Sequence, residues 1–168
     1  IALLFARVAR LEGAARVLVL GRHETRLAVA QAWGAAAALA ADDAAAHAAV
    51  HDFTGGRGAD VVVECIGDPA AWRLASELAA AGGTALLFGG CAAGSEARFD
   101  AYRVHYEEVS LVGAFHYTPE AVRRARALLA DGRVDPTPLI THRRPLGELD
   151  AALQLMADRA AIKVEVVP

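Results

Sequence analysis

The fold is indicated by the stretch Val17-Leu18-Val19-Leu20-Gly21-Arg22-His23-Glu24-Thr25-Arg26. A short apolar run of strand-forming residues ends at Gly21, and Arg22 and Arg26 follow where a helix is expected to begin. In a doubly wound α/β sheet, the loop after the second strand contacts the ribose of a dinucleotide. An acidic residue in that loop favours a free 2′-hydroxyl, whereas arginine accommodates a 2′-phosphate. The stretch therefore has the features expected of the ribose-contacting loop in such a sheet.

Arg22 and Arg26 are expected to face the same anion, because four positions separate them at a predicted helix start. Guanidinium groups also match the geometry of phosphate. The alternative is that both arginines are solvated on an exposed helix end. This stretch alone favours neither interpretation, and the rest of the chain has to decide between them.

Composition restricts the class of protein. The chain has 168 residues and a net charge of −3, and its basic residues are dispersed, which argues against nucleic-acid binding. Much of its 55% hydrophobic content is alanine, and no apolar run approaches the roughly 18 residues of a membrane span. Cys65 and Cys91 are too far apart in sequence to suggest a disulfide framework or a metal motif. We expect a reducing, cytoplasmic setting and no membrane partner.

The first residues predict an amphipathic helix that is entered after its beginning. Five apolar side chains share one helical face, Gly13 is the expected stop, and no initiator methionine or helix cap precedes them. The chain is therefore expected to be a fragment. The apolar face of this predicted helix comprises Ile1, Leu4, Phe5, Val8 and Leu11.

Strands and helices alternate along most of the chain, which predicts a parallel sheet with helices on both faces. The apolar run at Asp60–Glu64 is typical of a strand covered on both faces. Residues 92–106 are expected to be irregular. The predicted strands are Arg16–Leu20, Ala36–Ala40, Asp60–Glu64, Thr84–Phe88 and Val109–Phe115. The predicted helices are Glu24–Trp33, residues 43–53, Pro69 to Gly82-Gly83, and Pro119–Asp131. Asp43, Asp68 and Thr118 are the expected caps of the last three, and Pro69 and Pro119 occupy first helical positions. Gly34 and Gly132 follow the first and the last helix.

A change of pattern near Pro138 predicts a domain boundary. Residues 1–138 are expected to bind the dinucleotide, and residues 139–168 to form a C-terminal segment that packs on another domain. That segment is expected to contain a strand at Leu139–His142, a helix with Leu146, Leu149, Leu153 and Met156 on one face, and an extended end at Ala161–Val167.

Ligands of open α/β sheets bind at the carboxyl ends of the strands. Glycine stands at three of the four predicted strand ends, where it would allow close approach of a flat dinucleotide to the backbone. The alternative is that glycine serves only the tight turns. Several such ends in one α/β pattern favour a ligand. The ends are Gly21-Arg22, Cys65-Ile66-Gly67, Gly89-Gly90-Cys91 and Ala114-Phe115.

Further segments extend this pattern over the whole chain. They are Ile1 to Ala6, Arg26 to Ala30 with Gly34-Ala35, Gly58-Ala59-Asp60-Val61 through Gly67, Gly82-Gly83-Thr84 through Gly89-Gly90, Gly113-Ala114-Phe115, and Ala161-Ile162-Lys163-Val164. In this order they resemble the cofactor domain and C-terminal tail of medium-chain, zinc-type alcohol and polyol dehydrogenases of the sorbitol and threonine dehydrogenase branch.

This resemblance implies a truncated Rossmann-type sheet, an NADP(H) cofactor with NAD(H) possible, and hydride transfer to or from a secondary alcohol or polyol. It implies that Gly21, Arg22 and Arg26 select NADP(H), and that Cys65, Ile66 and Gly67 line the adenine-ribose side. Gly89, Gly90 and Cys91, with Ala114 and Phe115, would approach the nicotinamide, and Lys163 would lie near the pyrophosphate. Zinc would be bound by a catalytic domain outside this chain, and the full-length protein is expected to form a homo-oligomer, for which Ser110–Phe115 is a candidate pairing edge.

Two departures from the family matter. The glycine fingerprint with its strand, and the catalytic domain, would both lie upstream of Ile1. In a sheet of order 3-2-1-4-5-6 that strand is central, and its absence leaves two facing edges unpaired. We therefore expect the isolated chain to be poorly folded and inert. A zinc-free quinone or enoyl reductase, or a non-catalytic dinucleotide-binding module, are the alternatives.

The remaining polar and aromatic residues suggest no second site. His47 and His51 have helical spacing but lack the further ligands of a zinc motif, so no metal ligand is predicted in this chain. Cys65 and Cys91 are expected to be small buried hydrophobes, and Trp72 is expected to belong to the core.

Overall fold

Every strand pairing in the described residues is parallel. The computed structural model describes residues 1–40 and 42–168. Contacts divide them into two units, Ile1–Tyr117 and Thr118–Pro168. This division lies upstream of the boundary expected near Pro138, which concerned the domains of a longer protein and stays a prediction.

The first unit alternates helices and strands as the sequence predicts. Its elements are α1 (Ala2–Leu11), β1 (Leu18–Gly21), α2 (Glu24–Ala32), β2 (Ala36–Leu39), α3 (Asp43–Thr54), β3 (Ala59–Glu64), α4 (Pro69–Leu78), β4 (Ala79–Leu87), α5 (Ala101–Tyr106) and β5 (Ser110–Gly113). The second unit contains α6 (Pro119–Ala130), β6 (Ile140–Pro145), α7 (Leu149–Ala157) and β7 (Lys163–Val167), with short 3₁₀ turns at Thr137–Leu139 and Leu146–Glu148. The predicted parallel α/β fold class is confirmed.

The sheet of the first unit is interrupted between β1 and β3. β1 pairs only with β2, while β3, β4 and β5 form a separate three-stranded sheet, among the residues that the structure describes. Both sheets nevertheless share one core. Leu18 and Leu20 of β1 and Val62 of β3 pack against a cluster made of Ala46, Val50 and Leu78. The two unpaired edges expected from the sequence are therefore present.

One expectation about β3 is wrong. The predicted cover on both faces does not extend to Val61, whose side chain is 61% exposed. Among the residues that the structure describes, β3 pairs only with β4, so the side of the strand towards its open edge lacks the neighbours that bury a central strand.

Local capping chemistry explains most helix starts. Asp68 and Thr118 accept hydrogen bonds from the N–H groups of Ala70 and Ala121, and each precedes a proline at the first helical position, as predicted. The cap of α3 differs from the prediction. Asp42, rather than Asp43, accepts from the N–H of Ala45 at 2.8 Å.

The end of α4 is also corrected. The helix stops at Leu78, and β4 begins at Ala79 and includes the two glycines expected to end the helix. Arg103 explains this early end, because its guanidinium donates to the carbonyl oxygens of Glu77 and Ala79 at 2.5 and 2.6 Å. Arg103 lies on α5, so residues 92–106 are not irregular throughout.

Candidate functional site

The loops after β3 and β4 touch through their glycines. Gly67 has a φ of +81°, and a Cβ atom on it would stand 2.4 Å from the carbonyl oxygen of Gly90. A Cβ atom on Gly89 would stand 2.2 Å from the backbone nitrogen of Gly67. No larger residue fits either position without backbone movement. The two predicted strand ends are therefore joined by direct backbone contact.

Gly89 is fixed at both of its polar backbone groups. Its N–H donates to the carbonyl oxygen of Glu64 at 3.0 Å. Its own carbonyl oxygen accepts from the indole Nε1 of Trp72 at 2.9 Å. The position of this backbone is thus set by β3 on one side and α4 on the other.

The carboxyl group of Glu64 organises the turn after β3. Glu64 is 5% exposed, and its Oε1 atom accepts from the N–H groups of Ile66 and Gly67, the latter at 2.9 Å. Its Oε2 atom is buried and has no hydrogen-bond partner among the described residues. Buried polar atoms without partners are uncommon, so this oxygen marks an unusual environment.

A cavity of about 610 Å³ opens at the carboxyl ends of β4 and β5. Its wall includes five residues predicted from the sequence, and Phe115 stands at its exposed side, 87% accessible. These five are Gly89, Gly90, Cys91, Ala114 and Phe115. Trp72 and Glu96 also line it.

The other predicted residues lie elsewhere. Cys65, Ile66 and Gly67 follow β3 and are not among the lining residues of the cavity, but Gly67 contacts Gly89 and Gly90 of its wall. Lys163 begins β7 in the second unit.

Gly21 is the last residue of β1, as expected, but the two arginines are not both on a helix. His23 has extended backbone angles and α2 begins at Glu24, so Arg22 precedes the helix and Arg26 lies in its first turn. The helix begins at Glu24 as predicted, but the expected helical i, i+4 relation of the two arginines is wrong, because Arg22 lies in the extended segment before the helix.

The N-terminal half of α1 lies beside the end of β4. The rings of Phe5 and Phe88 meet edge to face with their centroids 5.0 Å apart. The start of a helix carries unpaired N–H groups and a partial positive charge, both of which favour anions. Ile1, which precedes α1, forms no side-chain capping hydrogen bond.

Both thiols of this region are held in the neutral form. Burial raises the pKa of Cys65 to about 11. Burial and then the negative charges of Glu64 and Asp68 raise the pKa of Cys91. Neither cysteine is therefore an activated nucleophile at neutral pH.

Two residues of this region were missed from the sequence. Trp72 was expected only to fill the core, yet its indole N–H holds Gly89. Glu64 belongs to the segment from Gly58 through Gly67 that carries the family resemblance, but no role is predicted for it from the sequence. The available signal was a carboxylate at the end of an apolar strand, directly before a glycine turn.

The described residues contain no group of three or more histidine, cysteine, aspartate or glutamate side chains arranged to hold a metal ion. His47 instead contacts Glu77 at 3.3 Å. Within the same described residues, none of the helices combines the length and the apolar character that crossing a membrane requires.

Comparison with known proteins reveals clear relatives. L-threonine 3-dehydrogenase of Bacillus velezensis is 31% identical over 170 residues, which cover 100% of this chain and 48% of that protein. Sorbitol dehydrogenase of Halalkalibacterium halodurans is 32% identical over 170 residues, covering 100% and 49%. The chain thus spans about half the length of the curated relatives it matches.

Solved structures show the same relationship. An alcohol dehydrogenase from Thermotoga maritima matches 99% of this chain and 47% of its own, with a TM-score of 0.89 and 30% identity. A putative zinc-binding dehydrogenase from Sinorhizobium meliloti, described as bound to NADP, matches 99% and 49% with a TM-score of 0.84 and 29% identity. The family model of zinc-binding dehydrogenases matches residues 1–131. The chain therefore belongs to the zinc-binding dehydrogenase family.

Proposed function

We propose that this chain is the cofactor-binding part of an oxidoreductase that transfers hydride between NADP(H) and a secondary alcohol or polyol. The observation that carries the proposal is the cavity at the ends of β4 and β5, whose wall is bare backbone at Gly89 and Gly90. A flat dinucleotide needs such clearance, and open α/β sheets bind ligands at this edge. The residues present therefore fit a nicotinamide dinucleotide.

The cofactor would contact three groups of residues. Gly89, Gly90, Cys91, Ala114 and Phe115 would contact the nicotinamide, and Cys65, Ile66 and Gly67 the adenine-ribose side. The N-terminus of α1 would interact with the pyrophosphate, and the role expected of Lys163 stays a prediction. The contact between Phe5 and Phe88 supports the role of α1, because it brings the helix start close to the cavity rim.

We assign the preference for the 2′-phosphate to Arg22 and Arg26. Arg22 is exposed directly after β1, and Gly21 stands where an acidic residue would favour a free ribose hydroxyl. The relative from Sinorhizobium meliloti described as bound to NADP supports this assignment.

The substrate and the metal belong to the proposal as well. The named sorbitol and threonine dehydrogenases support an alcohol or polyol substrate. The described residues do not fit a zinc ion, so we assign zinc to a catalytic domain carried by a longer polypeptide, here called the full-length enzyme.

The proposal also includes assembly and location. β5 pairs only with β4 among the described residues and exposes Val112, so its free edge is suited to pairing between two copies. Two free cysteines support a reducing, cytoplasmic setting.

Replacing Arg22 and Arg26 with alanine tests the cofactor assignment. NADPH binding to the full-length enzyme should weaken by about 1.5–3 kcal/mol for each lost charge-assisted phosphate contact. NADH binding should be unchanged, because NADH lacks the phosphate. Titration calorimetry measures both, and Arg57→Ala, which removes an exposed arginine paired with Asp60, is the control. Equal losses for the two cofactors would dismiss the assignment.

A further inference from the structure

A buried carboxyl group lies directly behind the cavity wall. The Oε2 atom of Glu64 stands 2.8 Å from where a Cβ on Gly89 would be, and Gly89 lines the cavity. The other oxygen of the carboxyl group is occupied by two backbone N–H groups. The unpartnered oxygen is thus on the side of the group that faces the cavity wall.

The surroundings provide hydrogen-bond donors to only one oxygen of this group. Two N–H donors stabilise Oε1, but Oε2 has no hydrogen-bond donor in the described part of the chain. A buried anion is costly unless an opposite charge or further donors offset it. Its field also reaches the cavity, since the charge of Glu64 contributes to the raised pKa of Cys91, a residue of the cavity wall.

We infer that the buried carboxylate of Glu64 favours the oxidised, cationic nicotinamide over the reduced, neutral one in the cavity beyond Gly89. The oxidised ring carries a positive charge and the reduced ring does not, so a fixed negative charge nearby attracts only the oxidised form. This inference rests on the proposed function and extends it, because it assigns to Glu64 a role in setting the balance between the two states of the bound cofactor.

The role differs from simple support of the loop. A residue that only shapes the loop would change the affinity for both cofactor states by the same factor, because both present nearly the same shape. A charge changes the ratio of the two affinities. By Coulomb's law, at an effective dielectric constant of about 20, two unit charges that are about 10 Å apart change such a ratio roughly tenfold.

Glu64→Gln in the full-length enzyme separates the two roles. The amide retains the side-chain volume and one acceptor oxygen for the N–H groups of Ile66 and Gly67, but it removes the charge. Dissociation constants of NADP⁺ and NADPH are measured by titration calorimetry. We expect the preference for NADP⁺ over NADPH to fall roughly tenfold. Asp52→Asn, which removes an exposed carboxylate of α3, is the matched control and should leave the ratio unchanged.

Glu64→Asp provides a second variant, because it keeps the charge while weakening the contacts to the loop. It should bind both cofactor states less tightly with the wild-type ratio, and a changed ratio would overturn the inference even where Glu64→Gln does not fold. An unchanged ratio in a folded Glu64→Gln enzyme would overturn it as well. A wild-type enzyme that binds neither state would overturn the proposed function, and with it this inference.

Discussion

At the scale of single residues, Gly89 and Gly90 are adjacent but differ in what surrounds them. A Cβ on Gly89 would meet the backbone of Gly67 at 2.2 Å, whereas a Cβ on Gly90 would have no heavy atom within 4 Å. The first glycine is required by packing. The second faces open space at the cavity wall, where we propose that the cofactor binds.

Alanine substitutions should separate these two requirements. Gly89→Ala should destabilise the full-length enzyme by about 2 kcal/mol or more, because the clash involves backbone atoms that cannot rotate away. Gly90→Ala should change stability by less than about 0.5 kcal/mol but weaken cofactor binding, because the methyl group occupies the space of the ligand. Denaturant unfolding and cofactor titration measure the two effects. Equal stability losses would contradict this account of the contact.

The thiol of Cys65 gives a prediction about pH. Its pKa of about 11 in the folded protein lies above that of an unfolded thiol, which is about 8.5. The associated stability is fully present below the unfolded pKa and is lost as the pH rises through the folded pKa. Alkylation of the folded Cys91→Ala enzyme by iodoacetamide should therefore stay slow at pH 9 and accelerate towards pH 11. A rate at pH 8 equal to that of the denatured chain would show the thiol to be unperturbed.

At the scale of elements, Arg103 connects α5 to the end of α4. Its guanidinium donates to two carbonyl oxygens of that end and to the carboxylate of Glu107 at 2.8 Å. Arg103 is partly buried, whereas the ion pair of Arg57 and Asp60 is exposed on both sides.

Removing these two arginines should have unequal effects on stability. Arg103→Ala leaves helix carbonyls without donors and should cost about 1.5–3 kcal/mol, whereas Arg57→Ala should cost less than about 1 kcal/mol. Urea unfolding of the full-length enzyme gives both values. Similar losses of stability in the two variants would mean that water replaces the hydrogen bonds of Arg103.

Helix α4 shows which parts of the fold can be predicted from the sequence. The starts of α4 and α6 were predicted, because Asp68 with Pro69 and Thr118 with Pro119 act within one turn of the helix. The end of α4 was not predicted, because it depends on an arginine that is distant in sequence.

In the candidate site, too, local features can be predicted from the sequence and contacts between distant residues cannot. The strand-end glycines are readable as local patterns that alternate with apolar runs. The contact of Gly67 with Gly89, the bond from Trp72 and the unpartnered oxygen of Glu64 depend on how two loops meet after folding. The spacing of residues along the chain does not predict such contacts between loops.

At the scale of the whole molecule, the interrupted sheet limits stability. β1 and β3 each lack a partner on one side in the described residues, although they share a core. Unpaired edges forfeit ladder hydrogen bonds and expose apolar side chains such as Val61.

We therefore expect the isolated 168 residues to unfold without a sharp cooperative transition and to oxidise no alcohol. Circular dichroism during heating and an assay with NADP⁺ measure the two properties, and the full-length enzyme is the control. A cooperative transition together with alcohol oxidation by the isolated chain would refute the expectation.

The open edge of β3 also has a consequence for biosynthesis. Val61, Val62 and Val63 form a short extended segment of β-branched residues, the type that associates with like segments of other chains. Because exposed strand edges promote aggregation during folding, we expect the nascent polypeptide to aggregate until that edge is covered. Slow translation and low growth temperature should therefore raise the recovered yield more than any change to the buffer used for purification.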